Sequence, residues 1–195
     1  MQMCRSSYLQ LQKLGQIRDM LTQEAAEIMV HAFITSRLDY CNSLLYGLPA
    51  SVITKLQMIQ NWAARIVTRT RKFAHIPPVL KTLHWLPIEQ RVAFKVLTLT
   101  YRALHNQAPV YLQKLVAPHT PRRHLRSADR SLLVIPSSRL KSYGDRRFAH
   151  AAPTLWNSLP QRIREAQSLA RFKKLLKSHL FHLAYDSALP NDSDC

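Results

Sequence analysis

Apolar residues recur at helical spacing along most of the chain. The longest repeat lies between residues 83 and 104 and places five apolar side chains on one face: Ile88, Val92, Val96, Leu99 and Ala103. Pro87 suits the first turn of this helix, because the N–H that proline lacks would have no partner there. Shorter repeats predict further helices at residues 8–21, 22–38, 51–72, 79–83, 109–116 and 168–185. The pattern predicts a mainly α-helical protein.

Four side chains have the chemistry and position of helix N-caps. They are Thr22, Ser51, Asp145 and Ser168. In the first predicted helix, Arg18 and Asp19 fall outside the apolar repeat and are expected to be exposed. Residues 39–49 mix apolar and polar positions before a Gly/Pro stop, and they either continue the preceding helix or turn it.

The only strand signal lies late in the chain. Residues 132–135 are a short apolar run, and residues 139–143 are a candidate hairpin partner for it. Before this run, residues 118–131 contain almost no apolar side chain. We therefore predict a helical bundle over residues 1–118, a basic linker or arm over 119–131, a small α+β part over 132–185, and a disordered acidic tail over 186–195.

Basic residues follow two of the predicted helices. On the longest helix, the spacing i, i+4, i+7 and i+11 places Arg91, Lys95, Thr98 and Arg102 on the side opposite the apolar face. A second stripe, which adjoins Trp62, is predicted on the 51–72 helix by the spacing of Arg65, Arg69 and Lys72. Such a stripe either faces water or contacts phosphate.

The charge balance favours phosphate. The chain has 28 Lys and Arg residues against 11 Asp and Glu residues, a net charge of +17. Residues 1–50 are neutral in sum, whereas residues 51–178 hold 24 of the basic residues and 4 of the acidic ones. An excess this asymmetric is typical of a protein that binds a polyanion, because released counterions favour binding. RNA, DNA or an RNA–DNA hybrid, bound without sequence preference, is the expected partner.

Further candidate phosphate contacts lie outside the two stripes. They are Arg122, Arg123 and Arg126 in the predicted arm, and the adjacent pair Arg146 and Arg147. The lysines of the last helix have the weakest claim, since a solvated lysine face is common there. Trp62, Trp85 and Trp156 are interpreted as core residues, with base stacking as the alternative.

Catalytic motifs are missing. The sequence has no Gly-rich nucleotide loop, no HExxH, GxSxG or CxxC motif, and no adjacent Asp pair. We therefore expect no enzyme activity, no cofactor and no metal site; His179 and His182 are interpreted as helix-end histidines. Three widely spaced cysteines fit reduced thiols, which predicts an intracellular protein, nuclear or cytoplasmic, and no apolar run reaches transmembrane length.

Long strings of the sequence are similar to one family. Residues 36–49 (SRLDYCNSLLYGLP), 60–65 (QNWAAR), 83–87 (LHWLP), 143–148 (YGDRRF), 152–160 (APTLWNSLP) and 172–177 (FKKLLK) resemble the polyprotein of non-LTR (LINE, jockey-like) retrotransposons. In that family these segments follow the reverse-transcriptase palm. The resemblance implies a helical thumb that grips the template–product duplex, followed by a small C-terminal region.

The resemblance does not carry catalytic activity over to this chain. The palm with its Asp-Asp metal motif and the separate endonuclease are both missing, so only the gripping role of Arg65, Arg69, Arg91, Lys95 and Arg102 carries over. The chain then resembles an inactive remnant of such a reverse transcriptase. Two alternatives remain: a decayed reading frame with no selected function, or a protein–protein adaptor that uses apolar surface once covered by the palm.

Overall fold

The computed structural model describes residues 2–119, 131–137 and 144–186, and these residues are mainly α-helical, as predicted. They divide into two compact units. The first unit comprises the described residues of Met1–Arg91 and Leu183–Cys195, and the second comprises those of Val92–His182. The division predicted from composition, at residues 118, 131 and 185, stays a prediction.

Five α-helices lie in the first unit: α1 (Gln2–Gln16), α2 (Gln23–Val30), α3 (Ser36–Asp39), α4 (Ala50–Thr68) and α5 (Pro77–Thr82). Helix α6 (Ile88–Leu104) begins in this unit and continues into the second. Helices α1, α2 and α5 pack against α4. The apolar repeat explains this arrangement, because Leu56, Ile59 and Ala63 of α4 are all buried.

The region between α2 and α4 is less regular than the pattern suggests. A π-helical turn, His31–Thr35, joins α2 to α3, so the predicted 22–38 helix is present but locally widened. After α3 the chain turns rather than continuing as a helix: Cys41 is left-handed with φ 51°, and a 3₁₀ helix follows at Asn42–Leu45. This settles the alternative that the sequence leaves open for residues 39–49.

Two of the four N-cap predictions are confirmed. Thr22 accepts a hydrogen bond from Ala25 N at 3.2 Å, and Ser168 Oγ accepts one from Arg171 N at 3.2 Å. The Ser51 prediction is wrong. Pro49 precedes the first residue of α4, and its carbonyl accepts from Val52 N at 2.9 Å, with no side-chain cap. Pro49 therefore occupies the N-cap position in place of Ser51, and no side-chain hydroxyl caps the helix.

The prediction that Arg18 is exposed is also wrong. Its side chain is buried, and its guanidinium donates to the carbonyls of Ile66 at 2.6 Å and Val67 at 2.7 Å. Both carbonyls belong to the last turn of α4, where backbone acceptors lack helical partners. Asp19, the next residue, is exposed as predicted. Burial of the cation is possible because helix-end oxygens replace its water.

Two glutamines of α4 fix the start of α6. Gln57 Oε1 accepts from Ile88 N at 2.9 Å, and Gln60 Nε2 donates to the Leu86 carbonyl at 2.8 Å. The helix begins at Ile88, so Pro87 lies just before it rather than within its first turn, and the Pro87 carbonyl accepts from Arg91 N at 2.9 Å. A side-chain amide thus supplies the acceptor that helix N-termini need.

The end of the described chain belongs to the first unit. Tyr185 Oη donates to the Trp85 carbonyl at 2.5 Å, and burial raises the pKa of this phenol to about 12 despite the opposing charge of Arg91. Asp186, which the prediction places in the acidic tail, lies 2.7 Å from Lys81 Nζ. Residues 187–195 of that tail lie outside the described residues.

The second unit holds the rest of α6 and the helices α7 (Val110–Gln113), α8 (Phe148–Ser158), α9 (Gln161–Arg164) and α10 (Leu169–Tyr185, up to His182). Its core is aromatic. The ring of Phe172 lies 4.5 Å from that of Tyr101 and 5.7 Å from that of Trp156, centroid to centroid. The Tyr101 hydroxyl donates to the Ala166 carbonyl at 2.8 Å, and burial raises the pKa of Tyr101. These contacts close the core.

The predicted strand at 132–135 is wrong for the described residues. Leu133 forms a single antiparallel bridge with Pro118. The Asn157 side chain accepts a hydrogen bond from Leu133 N and donates one to the Leu133 carbonyl, both at 2.9 Å. An amide side chain on α8 therefore occupies the positions that a second strand would use. The proposed hairpin partner at 139–143 lies outside the described residues. The described residues 144–186 form helices joined by turns and contain no strand, so the predicted α+β part is not seen among them.

The Asp145 cap prediction is wrong by two residues. Arg147 precedes the first residue of α8 and makes no side-chain cap, while Asp145 Oδ1 lies 3.7 Å from His150 Nε2.

Candidate nucleic-acid interface

The predicted basic stripe on α4 is not a helical stripe. The helix ends at Thr68, and Arg69 is left-handed with φ 53°, which turns the chain away. Lys72 therefore lies beyond the helix rather than one turn above Arg69. The polar sequence 69–72 could have continued the helix, but Arg18 occupies the end of α4 instead.

The turn after α4 nevertheless gathers positive charge. We name residues 69–75 the basic loop; its exposed polar members are Arg69, Arg71, Lys72 and His75. Phe73 is 91% exposed, and Lys72 Nζ lies 5.7 Å from the centre of its ring. An aromatic ring left in water beside cations is typical of a surface that binds nucleic acid. Arg71 and Phe73 are missing from the predicted site, although an aromatic residue within a basic run was a usable signal.

Asp19 pairs only weakly with this loop. Arg69 Nη2 lies 3.8 Å from Asp19 Oδ1, and the Asp19 side chain is 97% exposed. Arg69 also donates to the Arg18 carbonyl at 3.2 Å. Solvent screens an ion pair this exposed, so most of the positive field of the loop remains.

A groove adjoins the basic loop. We name it the Trp62 groove; it is a cavity of about 730 Å³ lined by Tyr8, Met58, Asn61, Trp62, Arg65, Ile66, Thr70 and Lys72. The rings of Trp62 and Tyr8 lie 5.4 Å apart at an angle of 42°. None of these lining residues is acidic. Of the three tryptophans, Trp85 and Trp156 are core residues as predicted, whereas Trp62 is only half-buried.

Arg65 forms part of the wall of this groove. Its Nη2 donates to the Ala74 carbonyl at 3.3 Å, which links α4 to the basic loop. Among the described residues its buried Nε has no hydrogen-bond partner. In the described part of the chain, no carboxylate forms an ion pair with this guanidinium.

The stripe predicted on α6 is neutralised at its first member. Arg91 Nη1 lies 2.7 Å and 2.9 Å from the two carboxylate oxygens of Asp39, and its side chain is only 16% exposed. Thr98, expected on the same exposed face, is buried and donates to the Phe94 carbonyl at 2.7 Å. An acid 52 residues away in sequence therefore reaches Arg91, which the spacing along α6 alone does not show.

In the second unit, Lys95 and Arg102 of α6 are exposed. Arg147 is exposed at the start of α8, with its Nε donating to the Gly144 carbonyl at 3.1 Å, and Arg146 is half-buried. The predicted arm residues Arg122, Arg123 and Arg126 lie outside the described residues. The weakly favoured face of α10 is also exposed at Lys173, Lys174 and Lys177.

The described residues bring no three His, Cys, Asp or Glu side chains together as a potential metal site. Burial, with a smaller effect from His182, lowers the pKa of His179. No helix in the described part of the chain is long and apolar enough to span a bilayer.

Comparison of the chain with protein-family models, with curated proteins and with solved structures finds no match. The retrotransposon resemblance therefore stays a prediction from sequence.

Proposed function

We propose that this chain binds RNA or an RNA–DNA hybrid through phosphate contacts, without sequence preference and without catalysis. The observation that carries the proposal is the basic loop: exposed cations and an exposed aromatic ring follow α4, and solvent screens the Asp19 carboxylate that pairs with Arg69. The resemblance to the region downstream of the palm in LINE-type reverse transcriptases supports the same function, because that region grips nucleic acid.

The charge is sufficient for such binding. A few phosphate contacts give non-specific affinity, and each contact releases counterions, so affinity falls steeply with salt. Residues 51–178 carry 24 basic residues against 4 acidic ones. Their distribution over both units favours backbone contact over base readout, which requires a few converging side chains.

A binding assay at two salt concentrations tests the proposal. Single-stranded RNA, duplex RNA, duplex DNA and the hybrid are compared, first with the full chain and then with the variant Arg69→Gln, Arg71→Gln, Lys72→Gln. We expect the variant to bind single strands more weakly and to flatten the slope of log K against log salt by about 2, since each lost contact removes about 0.7.

The matched control replaces Lys173, Lys174 and Lys177 of α10 by Gln, which removes the same charge from a solvated helix face. We expect this control to leave the salt slope close to that of the unmodified chain. Binding that does not depend on salt, or equal slopes for the two triple variants and the unmodified chain, contradicts the proposal.

One observation favours a protein–protein adaptor as a second candidate. Large apolar side chains are exposed in the electrically neutral N-terminal region, among them Met20 at 87%, Tyr40 at 81% and Leu44 at 78%. Apolar side chains this exposed mark interaction sites when they form a patch. A partner that stays bound after nuclease treatment, and that is lost when these three residues are changed to Ser, is expected from this alternative.

A further inference from the structure

The half-buried tryptophan of the first unit is placed differently from the other two. Trp62 lies on α4 beside Tyr8 of α1, and both line a cavity of about 730 Å³. Core tryptophans are closed off on all sides, as Trp156 is at 1% exposure. Trp62 instead forms the wall of an accessible groove whose volume lies in the range of small-molecule pockets, roughly 300–1,000 Å³.

The groove combines two kinds of recognition. Trp62, Tyr8 and Met58 provide flat or polarisable apolar surface, and Arg65 and Lys72 provide positive charge. Among the described residues that line it, none is acidic. A ligand that fits must therefore carry both a planar apolar part and a nearby anion. A nucleotide unit of a nucleic-acid strand has this chemistry, with its base and its phosphate.

The ring geometry limits where a base can stack. The Tyr8 and Trp62 centroids are 5.4 Å apart, a distance at which aromatic rings contact each other, so a base does not fit between them. It stacks instead on the groove side of the pair. In a duplex the base faces are covered by their neighbours, so only an unpaired base can reach such a surface.

We infer that the Trp62 groove binds an unpaired base of a single-stranded nucleic acid, with Arg65 and Lys72 contacting the adjoining phosphates. The inference rests on the proposed function and makes it more specific. Cationic contact alone gives no preference among strands of equal phosphate number, whereas the groove favours a strand with accessible bases. Lys72 connects the two surfaces, because it lines the groove and belongs to the basic loop.

The test measures binding of the full chain to three probes of equal length: oligothymidylate, an abasic strand with the same phosphates, and a blunt DNA duplex. We expect Trp62→Leu to weaken binding of oligothymidylate about tenfold, because stacking of one base is lost. Binding of the abasic strand and of the duplex should be unchanged, as should the salt slope. Trp62→Phe, which keeps an aromatic face, should restore most of the affinity.

The outcomes separate the two proposals. If the unmodified chain binds none of these probes, the groove inference fails; the proposed function fails with it if single-stranded RNA, duplex RNA and the hybrid do not bind either. If all three probes bind in a salt-dependent way but Trp62→Leu changes none of them, only the groove inference fails. Equal losses on the abasic strand and on oligothymidylate also overturn it, since they indicate a structural role for Trp62. If Trp62→Leu weakens binding of polyglutamate as much as it weakens binding of oligothymidylate, the groove takes acidic peptides and the inference is overturned as well.

Discussion

Arg18 carries a positive charge into the interior of the first unit. Its guanidinium donates to the carbonyls of Ile66, Val67 and Leu21 at 2.6–2.7 Å. A buried cation of this kind is stable only because oxygens at a helix C-terminus are partly negative and otherwise lack partners. Sequence periodicity places Arg18 on a polar face, so this role is visible only once the segment after α1 lies against the end of α4.

Replacement of Arg18 by Met should therefore destabilise the fold. We expect a loss of about 3 kcal/mol in the free energy of unfolding, because hydrogen bonds to charged groups contribute about 1.5–3 kcal/mol each and the helix-end carbonyls lose their donor. Urea denaturation measures the change. Arg5→Met, at an exposed position on α1, is the control and should change stability by less than about 0.5 kcal/mol. Similar losses for the two variants would show that Arg18 does not stabilise α4.

At the scale of helices, the sequence predicts what lies inside a helix better than where the helix ends. The apolar face of α4 is predicted correctly at Leu56, Ile59 and Ala63, because a period repeated over several turns is a strong signal. Its start and end are both missed. Pro49 replaces the expected Ser51 cap, and a contact from Arg18 holds the last turn. Those features depend on tertiary packing, which a local pattern does not contain.

The candidate site, too, is predicted correctly where the signal is local and missed where it depends on tertiary packing. The charge excess after residue 50 is a property of composition, and the sequence shows it directly. The pairing of Arg91 with Asp39 depends on the path of the chain through α3 and the following turn, so the α6 stripe is overestimated. The basic loop is underestimated, because helical spacing is applied past Thr68 to residues that are no longer in a helix.

The end of α4 gives a prediction about backbone strain. Arg69 has φ 53°, a left-handed conformation that costs a residue with a Cβ about 1–2 kcal/mol and costs glycine almost nothing. We expect Arg69→Gly to raise the free energy of unfolding by about 0.5–1 kcal/mol, since the exposed pair with Asp19 and the 3.2 Å hydrogen bond to the Arg18 carbonyl offset only part of the relieved strain. Thermal or urea unfolding measures it.

The control for this variant is Lys72→Gly, which places glycine in the same loop at a residue without positive φ. It should leave stability unchanged or lower it slightly, because glycine adds freedom to the unfolded chain. If Arg69→Gly is as destabilising as Lys72→Gly, the end of α4 is not strained in the way the backbone angle indicates.

At the scale of the whole molecule, each unit has its own buried core. In the first unit Leu11, Val30 and Ile59 are fully buried, and in the second Trp156, Phe172 and Leu176 are at most 1% exposed. The polar groups in these cores are largely bonded, as with Trp156 Nε1, which donates to the Ser131 carbonyl at 2.8 Å. Cores this closed predict cooperative unfolding, which a decayed reading frame is not expected to show.

Cooperative unfolding is the expected consequence, and Phe172 provides the sharpest test of it. The side chain is 0% exposed and contacts the rings of Tyr101 and Trp156, so Phe172→Ala should cost the second unit about 3–5 kcal/mol. Calorimetry and tryptophan fluorescence should both show a sharp transition that moves to lower temperature in this variant. Phe181→Ala is the matched control on α10, where the side chain is only half-buried and the loss should be smaller. A decayed reading frame without a closed core would instead give a broad transition that neither variant shifts. The reason is that a cavity destabilises only a chain whose side chains are packed.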